Sequence, residues 1–158
     1  MIYVTLGTQP CDFSRCLRMI EDLMRLKNIN EEIIAQVGHT TYRPQGIKCV
    51  EFLNEQDYQA CIQGARLVIS HAGTGALFSS IKKGKKVIAV ARLKKYGEMV
   101  NNHQLEIVKK LSSDGYILDG TDSLLDVWDK VETFCPKECD FLNELPAYIQ
   151  QQIDQWLK

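Results

Sequence analysis

Short apolar runs alternate with stretches of helical spacing along most of this chain. Ile2 to Leu6 is dense and partly β-branched, as a buried strand is. After a turn at Gly7-Thr8-Gln9-Pro10, apolar residues recur at Leu17, Ile20, Leu23, Met24 and Leu26, a helical spacing. Ser14 is placed to cap that helix, with Phe13 stapled ahead of it. Glu32 to Gly38 and Ile47 to Phe52 read as a second and a third strand. Asn54 then starts a short helix that runs to Gly64, with Asp57 at the capping-box position. Leu67 to Ser70 is a fourth strand, and Ala76, Leu77, Phe78 and Ile81 predict a helix stopped at Gly84.

Lys86 to Ala91 is the next buried strand. A helix follows through Leu105, Ile107, Val108 and Leu111, then a short strand at Tyr116 to Leu118. Thr121 or Asp122 caps a further helix carrying Leu124, Leu125, Val127, Trp128 and Val131, broken at Cys135-Pro136. The stretch 141–158 is an apolar helical tail, packed on its own domain or on a partner. Strand alternating with helix predicts an α/β protein, a single Rossmann-like domain over 1–158 with a doubly wound parallel sheet.

Composition narrows the classes. The chain has 158 residues, 45% of them hydrophobic and 25% charged, which suits one globular domain. Net charge is −1, so no nucleic-acid partner is expected from bulk electrostatics. The charge is uneven: seven basic residues and no acidic one lie between Lys82 and Gly97, and nine acidic residues follow between Ser112 and Glu144. The chain opens directly on a core strand without a basic, apolar leader, so no signal peptide is expected, and no stretch approaches a membrane span. The six cysteines are scattered and read as reduced thiols. Cys135-x-x-x-Cys139 has no second pair or histidine cluster near it, so no zinc site is expected.

The densest candidate chemistry is His71-Ala72-Gly73-Thr74-Gly75, between a strand and a helix. The first amides of a helix have no partner within it and carry partial positive charge. Gly73 and Gly75 let a ligand oxygen approach the backbone, and Thr74 adds a hydroxyl. The turn reads either as a phosphate cradle or as an ordinary βα turn that needs glycine. Gly7 and Thr8 follow the first strand and either face the same crevice or only form its turn. Arg92, Lys94 and Lys95 follow a strand's carboxyl end, the edge where open α/β sheets bind ligands. Asn101, Asn102, His103 and Gln104 can read sugar hydroxyls or cap a helix. His39 and Tyr42 sit in a polar loop and are given no role. A dinucleotide-dependent oxidoreductase is disfavoured because Gly7-Thr8-Gln9-Pro10-Cys11-Asp12 is not G-x-G-x-x-G, and Gly73-Thr74-Gly75 lacks the Lys-Ser/Thr of a P-loop.

SHAGTG, a helix, and then GKKVIAVARLKKYGEMVNNHQLE together resemble the C-terminal, donor-binding half of family 28 glycosyltransferases, a GT-B architecture. The likeness is strongest to the family's small split subunits, the Alg13-like and PssE-like type. It covers the chain to about Leu111, and Val4-Thr5-Leu6-Gly7-Thr8 fits the family's first strand and loop. The resemblance implies transfer from a UDP-sugar to a lipid-linked saccharide acceptor in capsule, exopolysaccharide or related glycan synthesis. It implies a membrane-associated Alg14- or PssD-like acceptor-binding partner, hence a cytoplasmic protein peripheral to the inner membrane face. Gly7, Thr8, His71, Gly73, Thr74, Gly75, Ser79, Arg92, Lys94, Asn102, His103 and Gln104 are the implied nucleotide-sugar contacts. His71 orients the turn or approaches the phosphate. A nucleotide-base site is implied near Phe52 and Leu53, with Phe52 alternatively in the core. Ser79 stands where the family has a ribose-binding Glu, and this departure leaves a non-catalytic enhancer subunit as the alternative. No cofactor and no metal are expected, since no Asp-x-Asp pair is present, and the general base falls to the partner.

Overall fold

The computed structural model describes residues 1–138, so the predicted tail at 141–158 and Cys139 lie outside the described residues. In chain order the elements are β1 (Ile2–Thr5), α1 (Ser14–Lys27), β2 (Ile33–Gln36), β3 (Lys48–Val50), α2 (Glu55–Gly64) and β4 (Leu67–Ser70). Then come α3 (Thr74–Lys82), β5 (Lys86–Ala89), a 3-10 turn at Lys94–Tyr96, α4 (His103–Ser113), β6 (Leu118–Asp119) and α5 (Leu124–Trp128). The strands form one six-stranded sheet in the order β3-β2-β1-β4-β5-β6, with every pairing parallel. The chain winds outward from β1 in one direction and returns past it to β4, so the strand order reverses between β1 and β4.

Side chains alternate across this sheet and fill a core on each face. Ile2, Val4, Leu6, Ile33, Ala35, Leu67, Ile69 and Ile88 pack with Cys16, Leu17, Ile20 and Leu23 of α1 and with Leu124 and Val127 of α5. Tyr3, Val68, Val87 and Ala89 face the other way, onto Ile62 of α2, Leu77 and Ile81 of α3, and Ile107, Val108 and Leu111 of α4. The doubly wound expectation is met. Leu26, expected on the inner face of α1, is 54% exposed, because it falls to one side of the stripe that Cys16, Leu17, Ile20 and Leu23 form.

Four local expectations are corrected. Ser14 is the first residue of α1 rather than its cap; Phe13 takes the cap position and is buried in the core. The Asp12 carboxylate accepts from the Ser14 amide and hydroxyl, at 3.0 and 2.9 Å, which takes over the capping task. Neither Thr121 nor Asp122 caps α5; Ser123 does, accepting from the Asp126 amide, while the Thr121 hydroxyl is spent on the Ala91 amide. That helix also ends at Trp128, well before Cys135-Pro136, and continues only as turns. The last strand is Leu118–Asp119, shifted beyond Tyr116. Asn54 does cap α2, accepting from the Asp57 amide at 2.8 Å.

One ion pair fixes the segment that follows β5. Arg15 of α1 binds Glu98 through both carboxylate oxygens, at 2.8 and 3.0 Å, and donates to the carbonyls of Ala91 and Thr121. Glu98, which is buried, also accepts from the Leu93 amide at 2.9 Å. A surface ion pair is worth little, but removing one partner of a buried pair leaves the other uncompensated. Replacement Glu98→Ala is therefore expected to lower the unfolding free energy by about 3 kcal/mol in a denaturant titration. A loss below about 1 kcal/mol, the range of surface pairs, would show that the pair does not anchor the segment.

Candidate functional site

Open α/β sheets bind ligands outside the carboxyl ends of their strands, where the strand order reverses. Here that place lies between β1 and β4, and a crevice of about 400 Å³ opens there. Gly7, Thr8 and Gln9 border it after β1, and His71, Gly73, Thr74, Gly75 and Ala76 after β4. Thr5, Gln36, Leu53, Glu55, Tyr58 and Gln104 complete the lining.

The start of α3 faces this crevice. Gly73 is its N-cap, so no side chain caps the helix, and no acidic residue lies in its first turn. The chain reaches Gly73 through Ala72, which is buried and holds a left-handed φ of 64°, a costly conformation for a residue with a Cβ. Such a turn, with its uncapped amides and dipole, suits an anion. A Cβ on Gly75 would meet nothing within 4 Å, so this glycine leaves open space.

His71 is the most constrained side chain of the crevice. Its backbone amide and its Nδ1 both lie against the Thr5 carbonyl, at 3.0 and 3.1 Å. A carbonyl only accepts, so Nδ1 carries the proton and Nε2 presents a lone pair. The ring is wedged between two glycine backbones. A Cβ on Gly7 would come within 2.5 Å of Nε2, and one on Gly73 within 2.2 Å. Burial, followed by the nearby Arg92 charge, pushes the His71 pKa down to about 4, so the ring is neutral at physiological pH.

Arg92 does not line the crevice. It is 2% exposed, donates from Nη2 to the Leu6 carbonyl at 2.7 Å, and stacks over Phe13, while its Nε has no hydrogen-bond partner among the described residues. Burial lowers its pKa, yet an arginine remains charged at any ordinary pH. Its charge bears on the site through His71 rather than by direct contact with a ligand in this crevice.

The other expected contacts separate into two groups. Gly7, Thr8, His71, Gly73, Thr74, Gly75 and Gln104 come together in the crevice. Lys94, Asn102 and His103 lie outside its lining, on the segment that runs into α4. The Lys94 amide donates to Asn102 Oδ1 at 3.0 Å, so this Asn holds its own chain. Asn101 accepts from the His103 amide, and the His103 ring is 3.6 Å from Glu106. Gln104 both lines the crevice and accepts from the Arg92 amide at 3.0 Å. Ser79 stands on α3, half-buried and outside the crevice lining. Phe52 is 47% exposed and packs edge-on to His39, so its core alternative is not met. Thr5, Gln9, Gln36, Glu55 and Tyr58 are lining residues that the chain pattern did not single out. Their shared signal is position: strand ends and first helical turns at one edge of the sheet.

This fold, with its crevice at the reversal point, is the class of the C-terminal halves of GT-B glycosyltransferases. The NMR solution structure of ALG13 matches it with a TM-score of 0.60 at 17% identity, over 95% of this chain and 93% of that one, a likeness of fold. The chain belongs to the family described as the glycosyltransferase family 28 C-terminal domain, which matches residues 1–134. The human protein described as UDP-N-acetylglucosamine transferase subunit ALG13 is 30% identical over 156 residues, covering 94% of this chain. The mouse protein of that description is 32% identical over 127 residues. This chain spans only 13% of the length of the human relative and 10% of the mouse one. Among the described residues, no helix is long and apolar enough to cross a membrane.

The wedge between glycines can be tested directly. Replacement Gly73→Ala must expel the His71 ring from its bond to Thr5 and is expected to cost about 1–3 kcal/mol in stability, as overpacking does. The double replacement His71→Ala/Gly73→Ala should recover most of that loss, and Gly75→Ala should cost almost nothing. Equal effects at Gly73 and Gly75 in thermal unfolding would contradict the packing described.

Proposed function

We propose that this chain is the donor-binding subunit of a two-component glycosyltransferase that moves a sugar from a UDP-sugar to a lipid-linked acceptor. The observation that carries this reading is the uncapped glycine start of α3, open to the crevice between β1 and β4. The relatives' description as subunits of a UDP-N-acetylglucosamine transferase supports it and makes that donor the first to test. The acceptor half belongs to a separate, membrane-associated chain of the Alg14 or PssD type. That chain supplies the general base and brings this subunit to the inner membrane face. The setting is capsule, exopolysaccharide or a related glycan.

In the reaction the UDP leaving group gains negative charge as the glycosidic bond breaks. Amides at Thr74, Gly75 and Ala76 are fixed in place before that charge develops, so they need no reorganisation to meet it. Removing one such preorganised donor typically slows a reaction by about 100- to 1000-fold. An exposed cation such as Lys94 acts through water, where a unit charge at close range is worth about 1 kcal/mol. The amide array and the buried Arg92 charge therefore outweigh the surface lysines. We assign the charge-stabilising task to them and expect no metal to be required.

Ser79, standing where the family resemblance implies a ribose-binding Glu, favours one second reading: a non-catalytic subunit that only stabilises its partner. Calorimetry separates the two. The wild-type chain is expected to bind UDP, and Gly75→Val to weaken binding at least about tenfold with an unchanged melting temperature, because its side chain enters open crevice rather than packed protein. No UDP binding by the wild-type chain, alone or with its partner, would favour the stabilising role.

A further inference from the structure

We propose that the crevice takes up its diphosphate together with one proton, bound at Nε2 of His71, so that an imidazolium faces the leaving group. This rests on the donor-binding reading above. A nucleoside-diphosphate sugar offers only acceptor oxygens along its diphosphate. In the free protein Nε2 is also an acceptor, because Nδ1 is committed to the Thr5 carbonyl. The ring cannot trade these roles by turning over. A flip would leave the carbonyl facing carbon, and the Gly7 and Gly73 backbones hold the ring on both sides. Two acceptors that meet repel, so a diphosphate at Nε2 requires a proton there.

The surrounding charges make the coupling large. The Arg92 charge opposes protonation of the ring in the free protein, and Cys11, Glu98 and Asp12 bear on Arg92 rather than on the ring. From α2, Glu55 and Tyr58 line the crevice. Among the described residues Glu55 is the one charged residue of that lining, exposed and hydrogen-bonded to Gln59. No described lining residue is therefore a buried carboxylate that would charge His71 before the ligand arrives. An opposite charge at contact raises such a pKa by about one to three units, and a diphosphate brings two. The bound value then rises from about 4 towards neutrality. Below that bound value and above the free one, affinity falls as pH rises, because each binding event takes a proton from solution.

The probe is UDP-N-acetylglucosamine, whose diphosphate has no titrating group near neutrality. Calorimetry with the full chain near pH 6, in three buffers of different ionisation enthalpy, is expected to show uptake of about half to one proton per ligand. Affinity should fall several-fold between about pH 6 and pH 7.5. His71→Gln should show no uptake and a flat profile; if that variant fails to fold, the wild-type buffer dependence alone decides. Wild-type binding without proton uptake would overturn the inference and leave donor binding intact. Absence of binding at every pH would overturn both.

Discussion

The hydrogen bond from His71 Nδ1 to the Thr5 carbonyl ties the site to the sheet. Thr5 ends β1 and His71 follows β4, and these are the neighbouring strands between which the sheet order reverses. The bond joins the end of β1 to the loop after β4 and leaves Nε2 as the imidazole nitrogen with a lone pair. It requires that neither Gly7 nor Gly73 carry a Cβ, since either would strike the ring. Glycine at these positions is thus explained by packing as well as by access for a ligand. Gly75, with open space around it, is the glycine whose absent side chain serves only the crevice.

Three groups set the electrostatics of the site. The α3 dipole has no side chain at its cap to quench it. His71 is neutral, and the buried Arg92 guanidinium, held by the Leu6 carbonyl and the Phe13 ring, bears on it through its charge. An isolated buried cation is unfavourable unless it is compensated. Glu98 and its partner Arg15 stand close by and lock the chain that carries Arg92. The Arg15–Glu98 pair therefore acts on the crevice at one remove, by fixing the segment after β5.

Much of the fold was legible because periodicity reports burial. Leu67–Ser70 and the α3 start emerged from local pattern alone, since a short apolar run ending at a glycine turn leaves few alternatives. Cap residues were less legible. Ser14 and Thr121 have the right chemistry, but Asp12 and the Ala91 amide claim their hydroxyl or amide groups, and those partners depend on tertiary packing. Along the chain Arg92 and Lys94 follow a strand's carboxyl end, and Asn101 to Gln104 read either as ligand contacts or as a helix cap. In the structure Arg92 turns inward, Asn102 binds the Lys94 amide, and only Gln104 of this set reaches the crevice. Gln36, Glu55 and Tyr58 could be joined to the site only through strand order, which spacing along the chain does not encode.

The most direct test of the central claim is a UDP titration followed by amide resonances of the isotopically labelled chain. If the α3 start holds the diphosphate, the amides of Thr74, Gly75 and Ala76 should shift most, together with those of Gly7 and Thr8. Saturable binding that leaves these amides unmoved, with the shifts elsewhere, would contradict the account.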